Sequence, residues 1–318
     1  MTPNSRIDRI MSTQQPWLTD GGLETTMVFH EGLDLPLFAS LHLLENDKGR
    51  SALTKYFDRY LSIAREAGTG FVLDTATWRS GAAWAAPLGR TESQMENSVR
   101  AAVDFADAFR ASRENSDTPI ILNGVIGPAG DGYSPDTLLT AAQSEAIHIK
   151  QAQWMASAGA DVITAVTMTH SSEAIGVVRS TKAAGLPVVI SFTVETDGHL
   201  PTGQPLGEAI AETDGATDET PIYYMVNCAH PDHFSAKLAG DWIERVSGIR
   251  ANASRMSHAE LDEAEELDDG DPEEFGRLHG EFVSCLPNLR LIGGCCGTDD
   301  RHVGCAARHV VRTTAKAA

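Results

Sequence analysis

The chain has 318 residues, 42% of them hydrophobic and none in a low-complexity tract, enough for one large domain or two small ones. Its 44 acidic against 25 basic residues leave a formal net charge of -19, which excludes a nucleic-acid surface, because phosphate binding needs clustered Lys and Arg. No apolar run approaches a membrane span and MTPNSRIDRIMSTQQPW lacks a continuous apolar core, so a cytoplasmic protein with its five cysteines reduced is expected.

Short β-branched runs alternate with longer helical patterns along the chain. Residues 1–15 read as an N-terminal extension before the first run, WLTDGG (Trp17–Gly22). A helical stretch near Ala52–Ala67 leads to GFVLDTAT (Gly70–Thr77), and another around Glu92–Arg113 leads to PIILNGVIG (Pro119–Gly127). Thr137–Ala158 precedes DVITAVTM (Asp161–Met168), and Ser172–Ala184 precedes PVVISFTV (Pro187–Val194). A short segment at Leu206–Glu212 leads to IYYMVNC (Ile222–Cys228), and HPDHFSAKL leads to RVSGIRANA (Arg245–Ala253). AELDEAEELDDGDPEE (Ala259–Glu274) reads as a solvated helix–loop insertion, with a partner-binding tail as the alternative. The segment around Pro272–Ser284 then leads to LRLIGGCC (Leu289–Cys296) and a last helix from Arg301 to about Thr313.

The count is eight strand–helix units. Apolar strands with little alternation indicate burial on both faces, as in a parallel sheet covered by helices. Eight such units predict an α/β fold, a single-domain (β/α)8 TIM barrel over residues 1–318. A doubly wound open sheet is disfavoured because no G-x-G-x-x-G follows an early strand.

In a barrel the catalytic face lies at the C-terminal ends of the strands. The chemically distinctive residues fall there: Asp20-Gly21-Gly22 after the first run, Thr75-Ala76-Thr77-Trp78 after the second, Asn227-Cys228 after the sixth, and Gly293-Gly294-Cys295-Cys296-Gly297 after the eighth. Barrel closure would bring the last two groups together. Three convergent thiols suggest a metal, and thiolate softness favours zinc. Three protein ligands on tetrahedral zinc leave one position open, the mark of a catalytic site. The flanking glycines let the backbone turn so that both adjacent sulfurs face one ion. The pair could otherwise be buried small hydrophobes or a redox nucleophile, although no C-x-x-C is present. His230 and His233 in CAHPDH could replace a sulfur, or be loop and helix-start residues. Cys285 and Cys305 fall in helical segments and read as packing residues.

DGG with Thr25 near the start, VNC at the sixth strand and GGCCGT at the eighth together resemble the zinc-dependent homocysteine S-methyltransferases. NGVIGPAGDGY and VVISFTVETDGHLPTGQPL are similar to stretches of the same family, so the resemblance runs from about Asp20 to the last helix. It implies a (β/α)8 barrel holding Zn2+ on Cys228, Cys295 and Cys296, with the acceptor thiol as fourth ligand. A free thiol has a pKa of about 8.5, and metal coordination ionises it at neutral pH. The partners implied are a small-molecule thiol acceptor and a sulfonium or ammonium methyl donor, with homocysteine giving methionine. On the same resemblance Asp20, Gly21, Gly22, Thr25, Thr77, Trp78, Thr167 and Asn227 are candidate substrate contacts. Gly21 and Gly22 would offer N–H groups to a carboxylate and Asp20 would meet an amino group or a cationic donor, unless the triplet only shapes a tight turn. Trp78 would stack on the donor or pack as a lid, and Asn227 would orient a ligand or the strand end.

Three positions depart from the family. Val166 precedes Thr167 where a Glu-Thr pair usually binds the amino group of homocysteine, Ala76 replaces the Asn of Thr-Asn-Thr-Tyr, and Thr26 stands where Glu is frequent. A different thiol or selenol acceptor is therefore the alternative to homocysteine, unless Glu173 or another acid compensates. S-Methylmethionine and S-adenosylmethionine are the expected donors and betaine the alternative; one barrel leaves no room for folate and cobalamin domains. Two other classes stay open: a zinc hydrolase, which would want harder His and Asp ligands, and a non-enzymatic zinc- or thiol-binding barrel.

Overall fold

The computed structural model describes residues 3–135 and 137–317, and the side chains of 6–135 and 137–311; positions 1, 2, 136 and 318 of the expected domain lie outside them. In chain order the elements are α1 (Pro3–Ser12), β1 (Trp17–Leu18), α2 (Leu23–Thr25), α3 (Asp47–Ala67), β2 (Phe71–Asp74), α4 (Glu92–Arg113), β3 (Ile120–Ile126), α5 (Ala141–Ala158), β4 (Val162–Met168) and α6 (Ser171–Ala184). They continue with β5 (Val188–Phe192), α7 (Leu206–Thr217), β6 (Tyr223–Asn227), α8 (Pro231–Phe234), β7 (Val246–Ala251), α9 (His258–Glu263), α10 (Pro272–Cys285), β8 (Leu291–Gly294) and α11 (Asp300–Ala317). The eight strands are parallel and close in sequential order, β8 pairing back onto β1 through Trp17–Leu291 and Leu18–Ile292. This is the (β/α)8 barrel, with every residue of β2, β3, β4, β5, β6 and β8 buried. Double-sided burial explains why these strands read as continuous apolar runs.

Several boundaries differ from the pattern-based expectation, each for a local reason. The helix expected from Ala52 begins at Asp47, because the Asn46 side chain accepts the Gly49 N–H and caps it. The helix expected from Thr137 begins at Ala141, where Thr140 and Gln143 form a reciprocal capping box. β1 stops at Leu18, so Asp20-Gly21-Gly22 lies wholly in the loop beyond it. The segment placed at Leu206–Glu212 runs on to Thr217, and the helix after β6 shrinks to the single turn α8 followed by two 3-10 turns.

The barrel interior is layered. At its N-terminal end, Val72, Ile121, Val162, Val189, Tyr223 and Leu291 point inward, and Ile7 and Ile10 of α1 close over them. The stretch expected as an extension thus plugs the barrel; burying its two isoleucines is worth roughly 3–6 kcal/mol. Arg6 fastens α1 by pairing with Glu114 and donating to the Ile120 carbonyl at 2.8 Å.

Two residues further along each strand the side chains face inward again, because the strand period is two. This second layer is polar: Asn123 Nδ2 donates to Asp74 at 2.7 Å and Thr164 Oγ1 donates to Asn123 Oδ1 at 2.8 Å. Arg250 of β7 bonds Asp74 and Asp20 together. One buried guanidinium between two carboxylates is a paired solution for charges that would otherwise be costly in the core. This belt is the floor on which the cysteine end of the barrel rests. Among the described residues no helix is long and apolar enough to cross a membrane.

Candidate metal centre

Cys228 follows directly on β6, and Cys295 and Cys296 follow on β8. The three Sγ atoms lie within 4.8 Å of one another, and no other such group of His, Cys, Asp or Glu occurs among the described residues. Cys228 Sγ is 3.8 Å from Cys296 Sγ. A tetrahedral ion with Zn–S bonds of about 2.3 Å holds its sulfurs about 3.8 Å apart, the separation of Cys228 and Cys296, and three soft thiolate donors suit such an ion chemically.

Strained backbone and close loop contacts aim these thiols. Cys228 has φ +55° and Thr167, at the end of β4, has φ +62°. The left-handed region is unfavourable for side-chain-bearing residues, above all a β-branched one, and persists where surroundings impose it. Here Asn227 imposes it: its Oδ1 accepts from the Thr167 N–H at 2.9 Å and the Ser191 hydroxyl at 2.6 Å, and its Nδ2 donates to Thr167 Oγ1 at 2.9 Å. The register shift between Ala165 and Met168 is the bulge that turns Thr167 into this network. Gly297 turns the cysteine loop at φ +76°. The loop after β1 clasps it: Gly22 N–H donates to Thr298 O at 3.0 Å and Gly297 N–H to Thr25 Oγ1 at 3.3 Å. A Cβ on Gly22 would stand 2.6 Å from the Cys295 carbonyl, so only glycine allows that approach.

The thiols share their protons unequally. Hydrogen bonds from Cys228 and Cys296, with Arg250 nearby, hold Cys295 well below the usual thiol range against the effect of burial. The same sharing, together with burial, pushes Cys228 and Cys296 upward. One thiolate is therefore easy here and three require a cation at their centre. Tyr133, from the loop after β3, sets its hydroxyl 3.2 Å from Cys296 Sγ and 3.9 Å from Cys228 Sγ. Burial pushes its phenol well above the ordinary value, so it remains a neutral donor. Its ring stacks on His258 with centroids 4.1 Å apart and planes 9° off parallel. His258 in turn bridges the Cys228 carbonyl at 2.7 Å and Glu195 at 2.9 Å.

A cavity of about 490 Å³ opens above the sulfurs, a size suited to small molecules. Asp20, Gly21, Gly22, Thr25, Trp78, Thr167 and Asn227 all line it. Thr77 does not: fully buried, it is bonded to Thr75 Oγ1 and to the Val125 carbonyl, each at 2.7 Å. Asp20 is committed to Arg250 and the Gly22 N–H to Thr298, so neither is free for the ligand role expected of it. Arg79 already lies over the Trp78 ring at 4.7 Å, on the face expected to meet a donor cation. Val166 presents an apolar wall. Glu173 does not compensate for it; that carboxylate binds His148 at 3.0 Å and the Ala129 N–H at 2.7 Å, away from the cavity. His230 caps α8, accepting the Asp232 N–H at 3.2 Å, and His233 Nε2 donates to the Arg255 carbonyl at 3.0 Å, so neither joins the sulfurs. Cys285 and Cys305 also stand outside the cluster.

The acidic stretch corrects its reading as plain solvated surface. Leu261, Asp262, Glu266, Leu267 and Asp268 line one side of the cavity, and Asp268 is fastened by the Ser254 hydroxyl at 2.6 Å. Arg250, Tyr133 and Glu24 are site residues that sequence reasoning passed over. Arg250 carried a signal, a cation at inward parity within a buried strand. Tyr133 sits in a loop and Glu24 in the three-residue turn α2, and neither carried one.

A sequence profile described as homocysteine S-methyltransferase matches residues 17–310 of the chain. Among solved structures, the oxidised form of the homocysteine methyltransferase MmuM from Escherichia coli aligns with TM-score 0.72 at 21% identity, covering 97% of this chain and 99% of that one. Its metallated form aligns with TM-score 0.70 at 20% identity, covering 95% and 99%. No curated protein sequence matches the chain.

Proposed function

Because the chain belongs to the homocysteine S-methyltransferase family, we propose that it moves a methyl group from a sulfonium donor to a thiol held on zinc by Cys228, Cys295 and Cys296. The observation that carries this reading is three sulfurs within 4.8 Å of one another on the floor of an open cavity. Zinc, when bound, ionises the acceptor thiol at neutral pH, so no separate general base is needed.

The chain's own residues do the rest. Asn227 Nδ2 lies 3.9 Å from Cys295 Sγ and, with Thr167, fixes the directions of the thiols. The acceptor sulfur enters from the cavity side, where the Tyr133 hydroxyl now lies. A thiolate and a sulfonium become two uncharged thioethers, so the charge separation of the reactants vanishes along the path. Walls such as Leu23, Val125 and Val166 withhold the water that would favour the charged reactants. With Asp131 paired to Arg79 at 3.7 Å, the carboxylates Asp262 and Glu266 at the cavity favour a donor carrying net positive charge, such as S-methylmethionine or S-adenosylmethionine, over zwitterionic betaine.

Homocysteine is the acceptor by family, and Val166 is the feature that favours a different thiol. The test is incubation of zinc-loaded protein with S-methylmethionine and a panel of thiols, read by mass spectrometry. Two methionines per turnover with homocysteine is the expected result. No methylated thiol with S-methylmethionine, or with S-adenosylmethionine or betaine in its place, would overturn the proposal.

A further inference from the structure

Segments from four strand ends meet at the buried His258: Tyr133 after β3, Glu195 after β5, Cys228 after β6 and His258 itself after β7. His258 opens α9, where Ser257 and Glu260 form a reciprocal capping box that fixes the start of the helix. Its Nε2 donates to the Cys228 carbonyl at 2.7 Å, and its Nδ1 lies 2.9 Å from a Glu195 carboxylate oxygen. Glu195 is set by a tight turn, its N–H donating to the His199 carbonyl at 2.7 Å and its carbonyl accepting from the Gly198 N–H at 2.9 Å. Bonds at both nitrogens lie in the plane of the imidazole and stop it from rotating, so its two faces have fixed directions. Tyr133 covers one of those faces, 9° off parallel, and its hydroxyl is thereby aimed at the sulfurs of Cys296 and Cys228. Neither His258 nor Glu195 joins the sulfur cluster or lines the cavity.

We propose that Glu195 and His258 form a positioning pair for the metal centre, acting through the Tyr133 ring and the Cys228 carbonyl. The assignment rests on the reading of a thiol held on zinc and deepens it. Cys228 holds a φ of +55°, a conformation that persists only while its surroundings impose it. The His258 bond restrains it from the carbonyl side, as Asn227 restrains Thr167 beside it. Tyr133 brings a neutral O–H to sulfurs that become anionic when they hold a cation, and a donor fixed against a thiolate stabilises its charge. Without a fixed imidazole under its ring, the phenol has only its own loop to keep it there. Partners one step behind a metal ligand are typically worth roughly 10- to 100-fold in metal affinity.

The experiment is zinc affinity by competition with a chelating dye, for the reduced wild type, His258→Leu, Glu195→Ala, Glu195→Gln, Tyr133→Phe and the double variant His258→Leu/Tyr133→Phe. The Tm of each metal-free protein checks folding. Wild type is expected to bind about one zinc. His258→Leu and Glu195→Ala are expected to weaken binding roughly tenfold or more. Glu195→Gln is expected to keep most of the affinity, because its amide oxygen still accepts from Nδ1. The double variant is expected to bind no more weakly than His258→Leu, because the Tyr133 hydroxyl has already lost its place. If His258→Leu does not fold, the two Glu195 variants decide. Unchanged affinity in the folded variants, Glu195→Gln as weak as Glu195→Ala, or losses that add in the double variant would overturn the role of the pair and leave zinc binding standing. A raised donor KM at unchanged zinc affinity would assign His258 to the cavity wall formed by 261–268 and overturn the proposal equally. No zinc bound by wild type would overturn the thiol-transfer reading and this assignment with it.

Discussion

Replacing Arg250 by Met should be among the most damaging single changes in the barrel core. The Arg250 side chain is 11% exposed, and it faces Asp20 and Asp74, which are 2% and 8% exposed. Removing the guanidinium leaves two buried carboxylates repelling each other, and breaking a buried pair in this way costs about 3–5 kcal/mol. For a chain of this size that lowers Tm by roughly 10 °C. Burial already pushes the Asp20 carboxyl up to about 7 with Arg250 in place. A carboxyl whose folded pKa is raised favours folding at low pH and loses that advantage as pH rises, so the deficit of Arg250→Met should be larger at pH 8 than at pH 5. The Arg250 Nε also donates to the Gly294 carbonyl at 3.1 Å, so the strand end before Cys295 loosens and metal affinity falls with stability. Urea unfolding of the metal-free, reduced protein measures the loss. Arg250→Met combined with Asp20→Asn and Asp74→Asn should recover most of it, because no unpaired charge remains. A single variant within 1 kcal/mol of wild type, or a triple variant no better than the single, would refute this reasoning.

Asn227→Ala removes the acceptor of the Thr167 N–H and the Ser191 hydroxyl in a buried setting, and should destabilise by about 2–4 kcal/mol in urea; a loss near zero would mean that Thr167 holds its positive φ without help. His279 is fully buried and burial pushes its imidazole down to about 4. The unfolded chain then takes up a proton between about pH 6.5 and 4 that the folded chain refuses, so stability falls as pH drops through that window, by about 3 kcal/mol in all. His279→Gln should flatten the pH dependence of Tm there, and an unchanged slope would contradict the assignment.

The barrel was legible because its strands are buried on both faces, which turns eight segments into uninterrupted apolar runs at regular spacing. The cysteines were legible because strand ends share one rim, so Cys228 and Cys295, distant along the chain, had to meet once the barrel closed. What failed to show was whatever depends on a loop's path or on a partner's choice. Asp20 reads as a ligand contact until Arg250 is seen to hold it, and Arg250 is one letter in a strand. Thr77 belongs to a strand-end motif, yet its hydroxyl turns to Thr75 and Val125 behind the cavity wall. The acidic stretch reads as solvated because most of its residues are charged. Its place in the cavity depends on His258 under the Tyr133 ring and Asp268 on Ser254, contacts that composition does not encode.

The central claim is that Cys228, Cys295 and Cys296 together hold one zinc ion. Metal analysis of the purified, reduced protein and of Cys228→Ser, Cys295→Ser and Cys296→Ser, each checked for folding by circular dichroism, tests it directly. About one zinc per chain in wild type, lost in each folded variant while Cys305→Ser keeps it, is the predicted result. Zinc retained in all three cluster variants would contradict the account.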